Sequence, residues 1–135
     1  MRVCAYKLIT RFKGKAMQDL IKTMKALSDE TRLRILNLLL ERECCVCEVM
    51  QALGISQTRA SRNLSILQDA GFLKARREGL WSLYSINRDG LEDYLADLLD
   101  AVTKALEGNE VTSSDRERLR KAKRVGPGCV TQTRE

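Results

Sequence analysis

The stretch that most restricts the fold runs from Cys45 to Gly71. Val49 and Leu53 stand four apart and Gly54 follows, so a short helix is expected to start near Cys45 and end where glycine takes the left-handed conformation. Ser56 can cap a second helix on which Ala60, Leu64 and Leu67 face inward, while Gln57, Thr58, Arg59, Ser61 and Arg62 crowd the opposite side and Gly71 ends it. The spacing predicts helix, tight turn, helix. With one proline, 4% aromatic and 31% charged residues, the remainder points to a mostly helical protein rather than a sandwich or barrel.

The flanks extend this pattern. Leu20, Ile21, Met24 and Leu27 form a helical stripe between Met17 and Leu27, and Ser28 is the expected N-cap of a helix running through Leu33, Leu36 and Leu40, with Asp29 and Glu30 in its first turn. That helix is apolar almost all round, as a central helix should be. Residues 72 to 86, FLKARREGLWSLYSI, are β-formers around Glu78-Gly79 and predict a two-stranded hairpin whose tip carries Lys74, Arg76 and Arg77. Leu91, Tyr94, Leu95, Leu98, Leu99, Val102 and Leu106 then give a helix with an apolar stripe wide enough to suggest a partner subunit.

Beyond Gly108 the apolar content collapses. SDRE at 114 to 117 matches a capping box and predicts a polar helix through Lys123, with disorder from Gly126. The expected organisation is an N-terminal arm (1–16), one domain for DNA binding and dimerisation (17–107), and a polar helix with a flexible tail (108–135). At 135 residues the chain suits a single folding unit.

A formal charge of +6 and a pI near 9.2 call for an anionic partner. Residues 1 to 16, MRVCAYKLITRFKGKA, lack the apolar run and cleavage site of a secretory signal, and no segment approaches the roughly 20 apolar residues of a membrane span. The expected location is therefore the cytoplasm, with no membrane partner. In a reducing compartment the five cysteines, Cys4, Cys44, Cys45, Cys47 and Cys129, are expected to be thiols with a task rather than a disulfide framework. Histidine is absent, so any bound metal must rely mainly on sulfur.

Helix, turn, polar-faced helix and basic hairpin, in that order, make a winged helix-turn-helix: mainly α with a small β-hairpin. Double-stranded operator DNA is the expected partner. Arg59 and Arg62 are candidates for guanine or phosphate contacts, Ser56, Gln57, Thr58 and Ser61 for base edges and backbone, and Arg76 and Arg77 for salt-dependent phosphate contacts. The competing reading is a protein-interaction module with the same fold. An enzyme is not expected: there is no histidine base, no glycine-rich nucleotide loop and no redox C-x-x-C in a βαβ pattern.

ECCVCEV, residues 43 to 49, places three thiols at the start of the first helix of the pair. Residues turn by about 100° each in a regular helix, so Cys45 and Cys47 would point about 200° apart, whereas Cys44 and Cys47 could meet on one ion. An ion held by all three would either deform the helix entrance or use a non-helical approach segment that already lies outside it, and a deformation should reach the recognition helix and separate the half-site contacts. Three thiolates suit trivalent arsenic or antimony; cadmium or lead would take a fourth, for which Cys4 and Cys129 are candidates. No cofactor is obligatory. Competing readings are a thiol redox or persulfide switch, closing a bond to Cys4 or Cys129, and small buried hydrophobes.

LSDETRLRILNLLL, ECCVCEV and ISQTRASRNLSILQDAGFLKARREGLWSLYSI together resemble the ArsR/SmtB family of metal-responsive bacterial repressors, most nearly its arsenical-resistance members, over roughly Met17 to Leu106. The resemblance implies a homodimer with an α-helical interface that holds a palindromic operator when metal-free and leaves it on binding a toxic ion. It also implies that Cys45 and Cys47 are the two family thiols. The third ligand of one family arrangement falls on Met50, which leaves Cys44 as first candidate for the missing thiolate. Asn63 stands where many relatives have histidine, and Cys44 replaces the usual leucine. A site with histidines on the last helix cannot exist here, which disfavours the zinc-type sensors.

Overall fold

Between residues 13 and 124, the part of the chain that this computed structural model describes, the chain forms six helices and a three-stranded sheet. The order is α1 (Lys13–Leu27), α2 (Glu30–Glu41), β1 (Cys44–Cys45), α3 (Val46–Leu53), α4 (Gln57–Asp69), β2 (Leu73–Glu78), β3 (Trp81–Ile86), α5 (Asp93–Ala105) and α6 (Glu110–Lys121). Most of the arm, the tail from residue 125, Cys4 and Cys129 lie outside the described residues.

Capping chemistry fixes the helix boundaries and corrects two expectations. Asp29, not Ser28, caps α2: its Oδ2 accepts the Arg32 N–H at 3.0 Å, while the Ser28 hydroxyl donates to the Lys25 carbonyl at the end of α1. Asn109, not Ser114, caps α6, because Asn109 Oδ1 already accepts the Thr112 N–H at 3.1 Å and starts the helix a turn earlier. Ser56 caps α4 as expected, and Gly54 is left-handed at φ 69°.

Sequence patterning predicts two strands; the structure has three. The dipeptide Cys44-Cys45 pairs with Tyr84 and Leu83 of β3, giving the sheet order β1-β3-β2. So short a strand leaves no alternation to read. Glu78 faces Trp81, so the hairpin turns at Gly79-Leu80 rather than Glu78-Gly79, with Gly79 at φ 63°. Lys74 pairs with Ser85 near the base of the hairpin, not at its tip.

The core is built on α2, whose Ile35, Leu36, Leu38 and Leu39 are buried against Leu64 and Leu67 of α4, Phe72, and Leu95 and Leu99 of α5. Gly71 lets α4 end close to α5: its φ is 98°, and a Cβ there would meet Leu95 Cδ1 at 3.1 Å. The polar α6 is integral to this core. Leu119 is buried in it, and Asp115, fully buried, takes a two-pronged grip from Arg34 with both contacts at 2.8 Å. Asn37 adds a bond to the Thr112 carbonyl and receives one from Arg116.

The most exposed apolar stripe is on α1. Met17, Leu20, Ile21 and Met24, at spacings of three, four and seven, are 41–58% exposed. On α5, Leu95 and Leu99 are buried within the chain, and Tyr94, with Leu91 just before the helix, packs against the same core. No helix among the described residues is long and apolar enough to cross a membrane.

Candidate thiol site and nucleic-acid interface

The three clustered cysteines straddle a strand and a helix, and this decides which of them meet. Cys45 is the N-cap of α3 with extended backbone (φ −87°, ψ 170°), so the 100° helical step does not apply to it. Its sulfur lies 2.9 Å from that of Cys47, and the pair packs with Leu83 and half-buried Trp81. Of the two arrangements expected, a regular first turn that points these two apart is not the one found; the approach through a non-helical segment is. Cys44, one residue earlier on a strand, faces the opposite side, into the main core, where its sulfur meets the Arg42 carbonyl at 3.5 Å. The expected Cys44–Cys47 partnership is therefore not formed. Cys47 is disulfide-bonded in this structure, so ligation by its thiolate belongs to the reduced protein.

Glu48 organises the helix entrance. Its Oε1 accepts the Cys45 N–H at 2.9 Å while the Glu48 N–H faces the Cys45 sulfur, a capping box with sulfur in place of a hydroxyl. Arg42 holds the other carboxylate oxygen at 2.9 Å and Arg124 bonds Oε1 at 3.0 Å. Burial alone would raise the Glu48 pKa; bonds from the Cys45 N–H, Arg124 and Arg42 outweigh it and hold the carboxyl below its ordinary value. The thiols move the other way. Burial, seconded by the Glu48 charge, pushes Cys44 up to about 12, and burial also raises Cys45 against the backbone N–H groups aimed at its sulfur.

The C-terminal segment closes over this entrance. The side-chain amide of Gln51 bonds both backbone groups of Lys123, at 2.8 and 3.1 Å, and the Lys123 carbonyl lies 3.8 Å from the Cys47 sulfur. Arg118 Nε donates to the Ala52 carbonyl at 2.6 Å, and Arg42 donates to the Leu119 carbonyl. Among the described residues, no three Cys, Asp or Glu side chains are grouped so as to hold a metal ion. Two sulfurs are brought together, and a third donor is not grouped with them among the described residues.

On the helix-turn-helix, the cap Ser56 is exposed, as are Thr58, Arg59 and Arg62 on the first two turns of α4. Arg59 is anchored by a bond to Thr31 Oγ1 at 3.1 Å, and Gln57 donates to Ser61 at 2.9 Å. On the hairpin, Arg77 is exposed and forms no ion pair among the described residues, whereas Arg76 is gripped by both Glu43 oxygens, at 2.6 and 3.2 Å. The Arg76 bonds raise its pKa and lower that of Glu43.

Sequence reasoning missed Arg42, Arg124 and Gln51 as members of the thiol surroundings. Glu43 and Glu48 were legible as charges beside the thiols, and the position of Glu48 three residues after the cap is the signal that its capping role leaves.

The sequence profile described as "Bacterial regulatory protein, arsR family" matches residues 29–75. The chain is 44% identical over 68 residues to an arsenical resistance operon repressor of Escherichia coli K12, and 43% identical over 70 residues to a cadmium resistance transcriptional regulatory protein, CadC homolog, of Staphylococcus aureus. These alignments cover 50% and 51% of this chain and 58% of each relative. In solved structures, the homodimeric winged helix-turn-helix DNA-binding domain of Mb0332 from Mycobacterium bovis is similar at a TM-score of 0.60 and 32% identity, covering 73% of this chain and 87% of that one. Fold, site and likeness converge: the chain belongs to the arsR family of bacterial regulatory proteins, DNA-binding transcriptional regulators with a winged helix-turn-helix.

Proposed function

We propose that this chain is a repressor that grips a palindromic operator as a homodimer and lets go when trivalent arsenic or antimony binds at Cys45 and Cys47. The observation that carries the reading is the 2.9 Å approach of those two sulfurs at the cap of α3, the first helix of the DNA-reading pair. With Cys47 reduced, two thiols held this close suit a thiophilic ion, and the arsenical and cadmium resistance regulators among the relatives give the same ion class. The exposed α1 stripe, with α5 beside it, supplies the face for a second copy, as the homodimeric relative suggests. Ser56, Gln57, Thr58, Arg59, Ser61, Arg62 and Arg77 supply the DNA contacts, and Arg76 joins them only where phosphate outcompetes Glu43.

A trigonal ion asks for three thiolates. Cys44 reaches the pair only by turning β1 over, which breaks its pairing with Tyr84 and Leu83 on the wing strand and disturbs the α3 cap. Binding is thereby linked to wing and helix together. Arsenous acid condensing with three thiols releases three waters. Cadmium or lead would need a further ligand, and Cys4 and Cys129 remain candidates outside the described residues.

Trp81 is the single tryptophan and packs against the thiol pair, so its fluorescence reports occupancy. Arsenite added to the reduced dimer should change that fluorescence and release a fluorescent operator duplex at the same concentration. Replacing Cys45 and Cys47 with serine should leave DNA binding intact and abolish both responses. Release that persists in the double variant sinks the assignment.

The disulfide on Cys47 favours one second reading, in which peroxide oxidises two thiols to a disulfide and is itself reduced to water. Mass analysis separates the two, since only oxidation leaves a mass change after chelation.

A further inference from the structure

Every nitrogen of the Arg32 side chain donates to the protein itself. Nε bonds the Ala26 carbonyl at 2.7 Å, Nη2 the Lys25 carbonyl at 3.1 Å, and Nη1 the Asn63 Oδ1 at 2.8 Å. Lys25 and Ala26 close α1, and Asn63 is buried in the middle of α4. Because guanidinium only donates, the amide of Asn63 must turn its oxygen toward Arg32, and its nitrogen then donates to the Arg59 carbonyl at 2.9 Å. An open crevice separates α1 from α4, with Ile21, Lys22 and Lys25 on one wall and Ile66 on the other. Ala26 of α1 and Ile66 of α4 join the same apolar core, and across the open part of the gap the arginine fork makes the directional link between the two helices.

We propose that Arg32 is a positioning residue for operator binding, whose fork sets the angle between the α1 dimer face and the recognition helix α4. The inference rests on the dimeric, palindrome-binding reading above. In a symmetric dimer that angle fixes the separation of the two recognition helices, which must match half-sites about 34 Å apart on B-DNA. An ammonium cannot serve three acceptors in this planar arrangement, so lysine does not replace Arg32. Aspartate at 63 keeps the acceptor; leucine removes it.

The test uses the full reduced chain and a duplex that the wild type selects from a random 30-base-pair library. Versions of that duplex carry one or two base pairs inserted between half-sites, and a further duplex carries one half-site. Arg32→Lys and Asn63→Leu should each lose about tenfold or more on the selected duplex, the size of a lost charge-assisted hydrogen bond, with half-site affinity changed less than about twofold. Preference for the native spacing should flatten, Asn63→Asp should retain it, and the salt slope should not move because no phosphate contact is lost. Should Arg32→Lys fail to fold, Asn63→Leu reads the same fork. Variants that keep the wild-type spacing preference, or that lose affinity equally for whole and half sites, overturn the role of Arg32 alone. A wild type that sediments as a monomer or selects only single half-sites overturns the dimeric reading and this inference with it.

Discussion

Glu48 receives the backbone N–H of Cys45 at 2.9 Å, so a thiol at the α3 entrance is positioned by a carboxylate that is itself only 4% exposed. Arg42 and Arg124 reach that carboxylate from the end of α2 and from beyond α6, which ties three parts of the chain to one acidic group. Anything that moves the Cys45 backbone must rearrange all three.

Removing the Glu48 charge should therefore be costly. Glu48→Gln keeps an acceptor for the Cys45 N–H but leaves two guanidinium groups underpaired; both are partly exposed, so the expected loss is about 1–3 kcal/mol in urea unfolding at pH 7. The folded pKa lies below the ordinary 4.5, so this stabilisation is present above that value and fades as pH falls through the folded pKa. Wild type and variant should converge in stability as pH falls below 4.5 and through the depressed folded pKa. A gap that stays constant from pH 7 to pH 3 would show that the charge of Glu48 is not what stabilises the entrance.

The strap formed by α6 and residues 122–124 predicts how the thiols are guarded. Leu119→Ala should cost about 2–5 kcal/mol, as truncation of a buried leucine does. Gln51→Ala, which frees Lys123 without touching the core, should cost about 1 kcal/mol and speed alkylation of Cys45 and Cys47 in the reduced protein several-fold. Unchanged labelling in Gln51→Ala would mean that α3 and β3 alone shield the sulfurs.

Much of the helix-turn-helix could be read from residues 45 to 71, because Gly54, Ser56 and the inward stripe Ala60, Leu64, Leu67 are local signals acting in the elements that carry them. Ser28 and Ser114 each have a rival cap nearby, Asp29 one residue later and Asn109 five residues earlier, and which of the rivals starts the helix depends on tertiary packing. The thiol pair was beyond pattern. Helical geometry applied to Cys45 put its sulfur on the wrong side, since two residues of strand pairing with Tyr84 and Leu83, far off in sequence, hold it extended. Arg124 and Gln51 acquire their places only when α6 folds back onto α3, and nothing in their own surroundings announces it.

The thiols should also rank in reactivity. Cys44 is fully buried with its pKa pushed up to about 12, so its thiolate fraction near pH 7 is minute. In the reduced native protein it should be the slowest of the described cysteines to react with iodoacetamide, and its rate should still be climbing at pH 10. Because its folded pKa exceeds the unfolded value of 9.0, the contribution of the buried thiol to stability is complete below that value and is lost as pH rises toward 12. Equal labelling of Cys44 and Cys45 at pH 7 would place Cys44 outside the core.

On the wing, adjacent arginines should behave differently because only one of them has a carboxylate partner. Arg77 is unengaged among the described residues, and Arg77→Ala should weaken operator binding while lowering the slope of log K against log salt by about one, as loss of a phosphate contact does. Arg76 is held by Glu43, so Arg76→Ala should change that slope by clearly less. Glu43→Gln provides the converse: it releases Arg76, and the affinity should rise with a steeper salt dependence. If Arg76→Ala and Arg77→Ala flatten the slope equally, and Glu43→Gln leaves it unchanged, then phosphate displaces Glu43 without penalty and the ion pair joining the wing to the thiol strand does not persist on DNA.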